Sequence, residues 1–236
     1  MKFLTGPTCS KRRMDTLELP LIVIGGRGHA KVLVSTLLLC RRRILGFVDL
    51  NSTTPPLLGI SCLGSDAAVL LHAPGEVGLV NGVGCIGSTA NRQDVYDRFT
   101  QEGYCFATVI HPTAIVAPDV QIGDGVQIMA GVILQSGSSV GSNAIVNTGA
   151  IIDHDCVVGA HAHIAPGAVL SGGVHVDSRA HVGTGACIIQ GVSIGAASVV
   201  GAGAVVIKDV PPGVTTVGVP AETIDRKTRT KSRINQ

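Results

Sequence analysis

The 236-residue sequence contains few aromatic and charged residues and no long hydrophobic run. It has no tryptophan, and aromatic residues make up 3% of the chain and charged residues 14%. The core must therefore close with small and branched side chains, because aromatic rings cannot supply its volume. A net charge of +2 gives no reason to expect a nucleic-acid partner. No apolar stretch reaches the ~20 residues needed to span a bilayer, so we expect no membrane insertion.

The seven cysteines occur singly, without a Cys-x-x-Cys pair. This pattern favours reduced thiols in a cytoplasmic protein over a disulfide framework. The first residues also lack the apolar core of a signal peptide. We therefore expect a cytoplasmic location.

Composition divides the chain near residue 110, since the four Phe and two Tyr residues all precede it. Before that point, short apolar runs at Leu21–Ile24, Ile44–Val48 and Val77–Val80 alternate with helix-like segments such as His29–Leu39. This alternation predicts a small parallel sheet with helices on its faces. We expect a leader over residues 1–20 and a Rossmann-like α/β domain over residues 21–110.

A six-residue repeat begins after residue 110 and fits neither the helical period nor the strand period. It predicts a triangular parallel β-helix over residues 111–210, with three hexads to a coil and residues eighteen apart stacked. One aliphatic residue of each hexad fills the axis, and a C-terminal loop and basic tail follow over residues 211–236. The repeating aliphatic residues are Val116, Ile122, Ile128, Leu134, Val140, Val146, Ile152, Val158, Ile164, Leu170, Val176, Val182, Ile188, Ile194, Val200 and Val206.

A glycine-rich turn at Gly25–His29 joins the first predicted strand to the first predicted helix. Glycines at such a turn let the backbone approach a phosphate, and a helix N-terminus favours its negative charge. The dinucleotide-binding fingerprint is incomplete, because Ala30 and Lys31 stand where its last glycine belongs. Asp49 ends the second strand, where nucleotide-binding folds place a carboxylate. Together these features favour a nucleotide or nucleotide-sugar site over a structural turn.

Histidines are the main candidates for chemistry in the repeat. His154 stands between Asp153 and Asp155, and a neighbouring carboxylate fixes the tautomer of a histidine general base and stabilises its imidazolium. The residues alone equally allow His154 to be a solvent-exposed histidine at a corner of the β-helix, without a catalytic role. His163 and His181 are eighteen apart and should stack, but two ligands fall short of the three that a metal site needs.

From about Leu21 to Ala221 the chain resembles the bacterial hexapeptide-repeat sugar acyltransferases of the sialic acid O-acetyltransferase type. The resemblance rests on GGRGHAKVL, FVD, HPTAIV, the NTGAIIDHDC core and the closing VGVPA. That family includes acetyl-CoA-dependent N-acetyltransferases of UDP- or GDP-linked 4-amino sugars. The resemblance implies a Rossmann-like nucleotide-sugar domain, a left-handed parallel β-helix, a homotrimer, and acetyl-CoA bound between neighbouring subunits without a metal.

The resemblance also implies roles for individual residues. The general base falls on His154 and its supporting acid on Asp155, where close amino-sugar relatives carry glutamate. The coenzyme contacts fall on His163, on the backbone N–H of Gly172 beside the thioester oxygen, and on Thr184 and Ala202. The nucleotide-sugar contacts fall on Arg27, Gly28, His29, Asp49 and Gly64.

Three functions remain open at this point. The first is N-acetylation of a nucleotide-linked 4-amino sugar, and the second is O-acetylation of sialic acid or another sugar hydroxyl. The third is a zinc-dependent β-helix hydratase of carbonic-anhydrase type or a β-helix without catalysis. The base of the nucleotide also stays open, because some UDP-sugar relatives carry two acids where this chain has Asp49 and Leu50.

Overall fold

The computed structural model describes residues 19–51, 54–85 and 88–224. All but the last two residues of the predicted leader, and residues 225–236 of the predicted tail, lie outside this part. The chain divides into two compact units, residues 1–84 with 94–109 and residues 85–93 with 110–236. Within the described ranges, no helix is long and apolar enough to cross a membrane.

The first unit is built on a three-stranded parallel sheet in the order β2-β1-β3. Its strands are β1 (Leu21–Ile24), β2 (Ile44–Val48) and β3 (Gly78–Asn81), and every residue of β1 is buried. Helix α1 (Gly28–Leu39) follows β1, and a 3-10 helix spans Asp66–Leu71. The predicted β1, β2 and α1 are confirmed, and the third strand lies one residue later than predicted. Helix α2 (Ala90–Gln101) and the two-residue strand β4 (Val109–Ile110) each span a division between the two units.

The second unit contains the predicted parallel β-helix. Each two-residue strand from β5 to β17 pairs in parallel with the strand eighteen residues later, as in the pairing of His163 with His181. From Ile128 onward, the repeating aliphatic residue of every strand is at most 2% exposed. The strands are β5 (Ile115–Val116), β6 (Gln121–Ile122), β7 (Gln127–Ile128), β8 (Ile133–Leu134), β9 (Ser139–Val140), β10 (Ile145–Val146), β11 (Ile151–Ile152), β12 (Val157–Val158), β13 (His163–Ile164), β14 (Val169–Leu170), β15 (His175–Val176), β16 (His181–Val182), β17 (Cys187–Ile188), β18 (Ser193–Ile194), β19 (Val199–Val200) and β20 (Val205–Val206).

The interior of the β-helix is filled by side chains of two sizes. Aliphatic residues of the strands alternate with small residues at the turns, among them the fully buried Ala150 and Ala168. Cys156 occupies one of these turn positions and is buried, so it acts as a packing residue. After β20 the described part of the chain continues into an antiparallel pair, β21 (Thr215–Val217) and β22 (Glu222–Ile224), and β21 adds to the edge of β19.

One outward face of the β-helix is apolar, and we call it the apolar face. It is formed by β5, β8, β11, β14, β17 and β20. Ile115 is 64% exposed and Ile151 is 37% exposed, although isolated proteins rarely leave rows of large aliphatic residues in water. The outward residues of this face are Ile115, Ile133, Ile151, Val169, Cys187 and Val205.

Candidate active site

His154 and Asp155 form a hydrogen-bonded pair at the turn between β11 and β12. His154 Nδ1 lies 2.8 Å from Asp155 Oδ2, and both side chains are exposed. Asp155 takes a left-handed backbone conformation with φ of 58°, which brings its carboxylate back toward the preceding ring. The backbone N–H of His154 donates to Asp153 Oδ1 at 2.8 Å. Asp155 therefore positions the imidazole ring of His154, and Asp153 positions its backbone.

The hydrogen bond to Asp155 raises the pKa of His154, and the negative charge of Asp153 adds to this effect. The carboxylate is an acceptor, so Nδ1 carries a proton and Nε2 of the neutral ring carries the free lone pair. This is the tautomer that a general base requires, because the accepting nitrogen points away from its supporting carboxylate.

The imidazole of His154 packs directly against Gly172, which lies eighteen residues later on the next coil. A Cβ at position 172 would lie 2.4 Å from His154 Nε2, so only glycine leaves room for the ring. The carbonyl of His154 accepts from the N–H of Gly173 at 2.8 Å, which ties the two turns together. The structure thus brings together two predicted site residues, the candidate base and the candidate oxyanion donor.

A second glycine accommodates the supporting acid from the coil below. A Cβ at Gly137 would lie 2.3 Å from Asp155 Oδ1. The backbone N–H of Gly137 donates to Asp119 Oδ2 at 2.8 Å, and Ser136 Oγ donates to the same oxygen at 2.7 Å. These two hydrogen bonds lower the pKa of Asp119. The pair of His154 and Asp155 therefore lies between Gly172 and Gly137. Asp119 fixes the backbone of Gly137 through a hydrogen bond.

The other residues predicted to contact acetyl-CoA lie elsewhere on the β-helix. Thr184 and Ala202 are exposed and stack on neighbouring coils, since the N–H of Gly203 donates to the carbonyl of Thr184 at 2.8 Å. Their turns and the turns of His154 and Gly172 border opposite edges of the apolar face. His163 lies on a third surface, pointing outward from β13.

His163 is 6% exposed, and both of its ring nitrogens contact other residues of this chain. Nδ1 lies 2.9 Å from Cys85 Sγ, and Nε2 lies 3.2 Å from Asn147 Nδ2. The contact with Cys85 is a finding that sequence analysis missed, because the two residues are 78 positions apart. The stacking with His181 follows the predicted interval of eighteen.

In the first unit, Asp49 organises the carboxyl ends of β1 and β2. Its carboxylate accepts from the N–H of Gly26 at 2.7 Å and from the N–H of Asn51 at 3.0 Å. The N–H of Asp49 donates to the carbonyl of Gly64 at 2.9 Å. A Cβ at Gly26 would lie 2.5 Å from Asp49 Oδ2, so this close approach requires glycine. Predicted residues Asp49 and Gly64 are therefore neighbours.

The turn between β1 and α1 is exposed to solvent where it enters the helix. Arg27 and Gly28 are exposed at the start of α1, and His29 is half-buried with its Cβ close to Gly84. The carboxyl edge of a parallel sheet, with a helix N-terminus beside it, is where open α/β folds bind ligands. The five predicted nucleotide-sugar residues all belong to this edge or the adjoining loop at Gly64.

A second histidine–aspartate pair lies on the β-helix surface and was not indicated by sequence analysis. His175 Nε2 lies 3.0 Å from Asp177 Oδ1, and both side chains are about half-exposed. His175 lies on β15 and Asp177 directly follows that strand, so the spacing alone gave no indication of the pair. The ring of His154 differs in that it packs against Gly172.

Comparisons with known proteins identify the family to which this fold belongs. Residues 20–99 match the family model of the PglD N-terminal domain. The structure is also similar to a mutant perosamine N-acetyltransferase from Caulobacter crescentus in complex with CoA and GDP-perosamine. The sequences are 40% identical, the match covers 87% of this chain and 97% of that one, and the TM-score is 0.82. The chain belongs to the nucleotide-amino-sugar acetyltransferase family.

Two further members of this acetyltransferase family match over 87% of the present chain. The acetyltransferase domain of PglB from Neisseria gonorrhoeae, solved with acetyl coenzyme A, is 33% identical, is covered over 98% of its length and has a TM-score of 0.80. WeeI from Acinetobacter baumannii is 26% identical, is covered over its full length and has a TM-score of 0.73. No curated protein matched the chain. The family assignment confirms the predicted combination of an α/β domain with a left-handed β-helix.

Proposed function

We propose that this protein transfers the acetyl group of acetyl-CoA to the amino group of a nucleotide-linked 4-amino sugar. The observation that carries the proposal is the pair of His154 and Asp155, whose accepting nitrogen lies against Gly172. The similarity to an enzyme solved with CoA and GDP-perosamine supports an amine acceptor on a nucleotide sugar. GDP-perosamine is the first substrate to test.

In the proposed mechanism, His154 Nε2 takes a proton from the acceptor amine as the amine attacks the thioester carbon. The ring becomes an imidazolium, which the carboxylate of Asp155 stabilises through Nδ1–H. The carbon–nitrogen bond forms as the carbon–sulfur bond breaks, and the imidazolium of His154 returns its proton so that CoA leaves as the thiol and the base is regenerated. This is direct transfer, and it needs no acyl-cysteine intermediate.

The negative charge that develops on the thioester oxygen needs a fixed donor. We assign this role to the backbone N–H of Gly172, which has no hydrogen-bond acceptor among the described residues. A preorganised amide costs no reorganisation at the moment of reaction, and losing one such donor lowers turnover by about 10²–10³-fold. Because Gly172 has no side chain, the ring of His154 has room to pack against it. The missing side chain also leaves the backbone amide of Gly172 accessible to the thioester.

The first unit would bind the nucleotide portion of the acceptor. The start of α1 at Arg27 and Gly28 offers backbone N–H groups and a cationic side chain to phosphate. The carboxylate of Asp49 lies at the end of β2 and keeps further acceptor capacity for a hydroxyl or a base edge. His29 and Gly64 border the same edge of the sheet.

The proposed assembly is a homotrimer in the cytoplasm. The apolar face supports association, because burying Ile115 and Ile151 against another copy removes exposed aliphatic surface from water. This face lies between the turns of His154 and Gly172 on one edge and those of Thr184 and Ala202 on the other. Ile151→Asp should therefore yield smaller particles by light scattering, whereas an unchanged mass would contradict association through this face.

The function is tested by following thiol release from acetyl-CoA. The acceptors are GDP-perosamine, a UDP-linked 4-amino sugar and free sialic acid. His154→Ala should reduce kcat by about 10²–10⁴-fold, the usual contribution of a general base. His175→Ala is the matched control, because it removes an imidazole with a similar exposed carboxylate partner.

Each outcome of this assay has a definite meaning. Turnover on one nucleotide amino sugar that is lost in His154→Ala and kept in His175→Ala supports the proposal and names the nucleotide. Turnover on sialic acid alone would replace it with O-acetylation. Equal activity in the wild-type protein and His154→Ala would refute the assignment of the base.

A further inference from the structure

A serine hydroxyl lies in the apolar interior of the β-helix, one coil below His154. Ser138 occupies one of the small-residue positions at the turns and is 1% exposed. The same position in the three hexads that follow holds Ala144, Ala150 and Cys156, all of them buried. A hydroxyl among such side chains destabilises the fold unless it is hydrogen-bonded, so its partners indicate what it does there.

Both partners of this hydroxyl belong to the turn that carries the proposed base. Ser138 Oγ donates to the carbonyl of Asp153 at 2.8 Å and accepts from the N–H of Cys156 at 3.1 Å. Asp153 and Cys156 are the first and last residues of the four-residue turn 153–156, which we call the acid–base turn. The two residues between them are the proposed base and its supporting acid. The hydroxyl therefore bridges the two ends of this turn and uses both its proton and a lone pair to do so.

The turns before and after the acid–base turn close without such a bridge. The N–H of Ala150 donates to the carbonyl of Asn147 at 3.0 Å. The N–H of Ala162 likewise donates to the carbonyl of Gly159 at 3.3 Å. Each is the direct hydrogen bond between the fourth and first residues of a β-turn. In the acid–base turn the corresponding N–H donates to the serine hydroxyl instead, so the hydroxyl sets the separation of the two ends.

We propose that Ser138 is a positioning residue, whose hydroxyl holds the acid–base turn in the shape that joins His154 to Asp155. Its effect on turnover rests on the proposed function, in which this pair takes the proton of the acceptor amine. Ser138 is buried and does not contact the substrate. Catalytic side chains need such support from a second layer of hydrogen bonds, because small displacements of the reacting groups slow the reaction.

Removal of the hydroxyl leaves two backbone groups to find new partners. The N–H of Cys156 should then bond directly to the carbonyl of Asp153, as in the neighbouring turns. The ends of the turn would draw together and disturb the 2.8 Å hydrogen bond between His154 Nδ1 and Asp155 Oδ2. That hydrogen bond raises the pKa of His154, and the negative charge of Asp153 adds to it. The pKa of His154 should therefore fall toward its ordinary value.

The test compares two variants whose side chains have the same shape. Ser138→Thr keeps the hydroxyl, whereas Ser138→Val has a methyl group in its place. The shape suits this position, because Val174 fills the equivalent position two coils above and is fully buried. Ser198→Ala is the control for loss of a buried hydroxyl, since Ser198 Oγ donates to the carbonyl of Gly195 within its own turn at 2.6 Å.

The first measurement is the pKa of His154, obtained by NMR titration of the imidazole signals without substrate. His154→Asn identifies the resonance. The pKa should be lower in Ser138→Val than in the wild-type protein, and close to the wild-type value in Ser138→Thr and Ser198→Ala. Titration needs no turnover, so it tests the positioning of the ring separately from acetyl transfer. Equal pKa values in Ser138→Val and Ser138→Thr would overturn the proposal.

The second measurement is thiol release from acetyl-CoA. kcat should be about 10-fold lower in Ser138→Val than in Ser138→Thr, within the cost of a ~1 Å misplacement, while KM for the acceptor stays the same. A lowered pKa with equal kcat would support the positioning role and count against His154 as the base. A similar fall in kcat in Ser138→Val and Ser198→Ala would overturn the proposal. Thermal unfolding reports whether each variant is folded, and Ser138→Ala gives the same comparison if Ser138→Val is not.

Discussion

Gly137→Ala tests whether the position of Asp155 controls the activity of His154. The glycine itself lies on the coil below and carries no reactive group. Its missing side chain leaves room for the carboxylate, since a Cβ there would lie 2.3 Å from Asp155 Oδ1. Ordinary van der Waals contact needs about 3.4 Å, so the carboxylate must retreat by about 1 Å.

That displacement competes with the 2.8 Å hydrogen bond between His154 Nδ1 and Asp155 Oδ2. A misplacement of ~1 Å in a catalytic group costs up to about 100-fold in rate, and we expect kcat to fall by this order in Gly137→Ala. The acid limb of kcat/KM should also move to lower pH, because the hydrogen bond that raises the pKa of His154 is weakened.

Gly191→Ala is the matched control for backbone strain. Gly137 has φ of 75° and Gly191 has φ of 73°, so alanine meets the same left-handed penalty at both positions, about 1–2 kcal/mol. A Cβ at Gly191 meets no heavy atom of the described residues within 4 Å. The two variants should therefore lose similar stability in thermal unfolding while differing in activity.

The assay is thiol release from acetyl-CoA across a pH series, with the acceptor concentration varied at each pH so that kcat and kcat/KM are both obtained for the two variants. Equal kcat and equal acid limbs in Gly137→Ala and Gly191→Ala would refute the reasoning, because the carboxylate would then have no part in setting the base. A fall in kcat of similar size in both variants would point to coil distortion alone.

Three further predictions follow from single contacts. Asp155→Asn should shift the acid limb of kcat/KM to lower pH and reduce kcat, since His154 loses the partner that raises its pKa; an unmoved limb in the pH profile would contradict this. Leu170→Ala should lower the free energy of unfolding in urea by about 2–5 kcal/mol because Leu170 is fully buried on the axis, whereas Leu50→Ala at a 94% exposed position should change little. Gly26→Ala should raise KM for the nucleotide sugar with little change in kcat, because its Cβ would displace a carboxylate at the end of β2; steady-state kinetics with an unchanged KM would count against a substrate role for that edge.

Much of the fold could be predicted because its signals are local or periodic. The repeating aliphatic residues of the β-helix occupy the second position of every strand from β5 to β20, as the interval of six requires. The adjacency of His154 and Asp155 in sequence already allowed a hydrogen-bonded pair, and the interval of eighteen predicted the stacking of His163 on His181.

Other parts of the sites depend on contacts between distant segments. The register alone places Gly172 above His154 and Gly137 below Asp155, but only the tertiary structure shows that the side chains of the pair fill the space over these glycines. Likewise, the approach of Asp49 to Gly26 follows from the pairing of β1 with β2.

The repeat, the division of the chain and the candidate acid–base pair could all be predicted from the sequence, because each depends on neighbouring residues or on a fixed interval. Only the tertiary structure shows that Cys85 contacts His163, which lies 78 positions later. No sequence interval could predict this contact, because Cys85 lies in a loop outside the repeat. The tertiary structure also decided that His163 is nearly buried and has partners at both ring nitrogens. Long-range packing sets the surroundings of a side chain, and these surroundings determine which of its possible reactions it can perform.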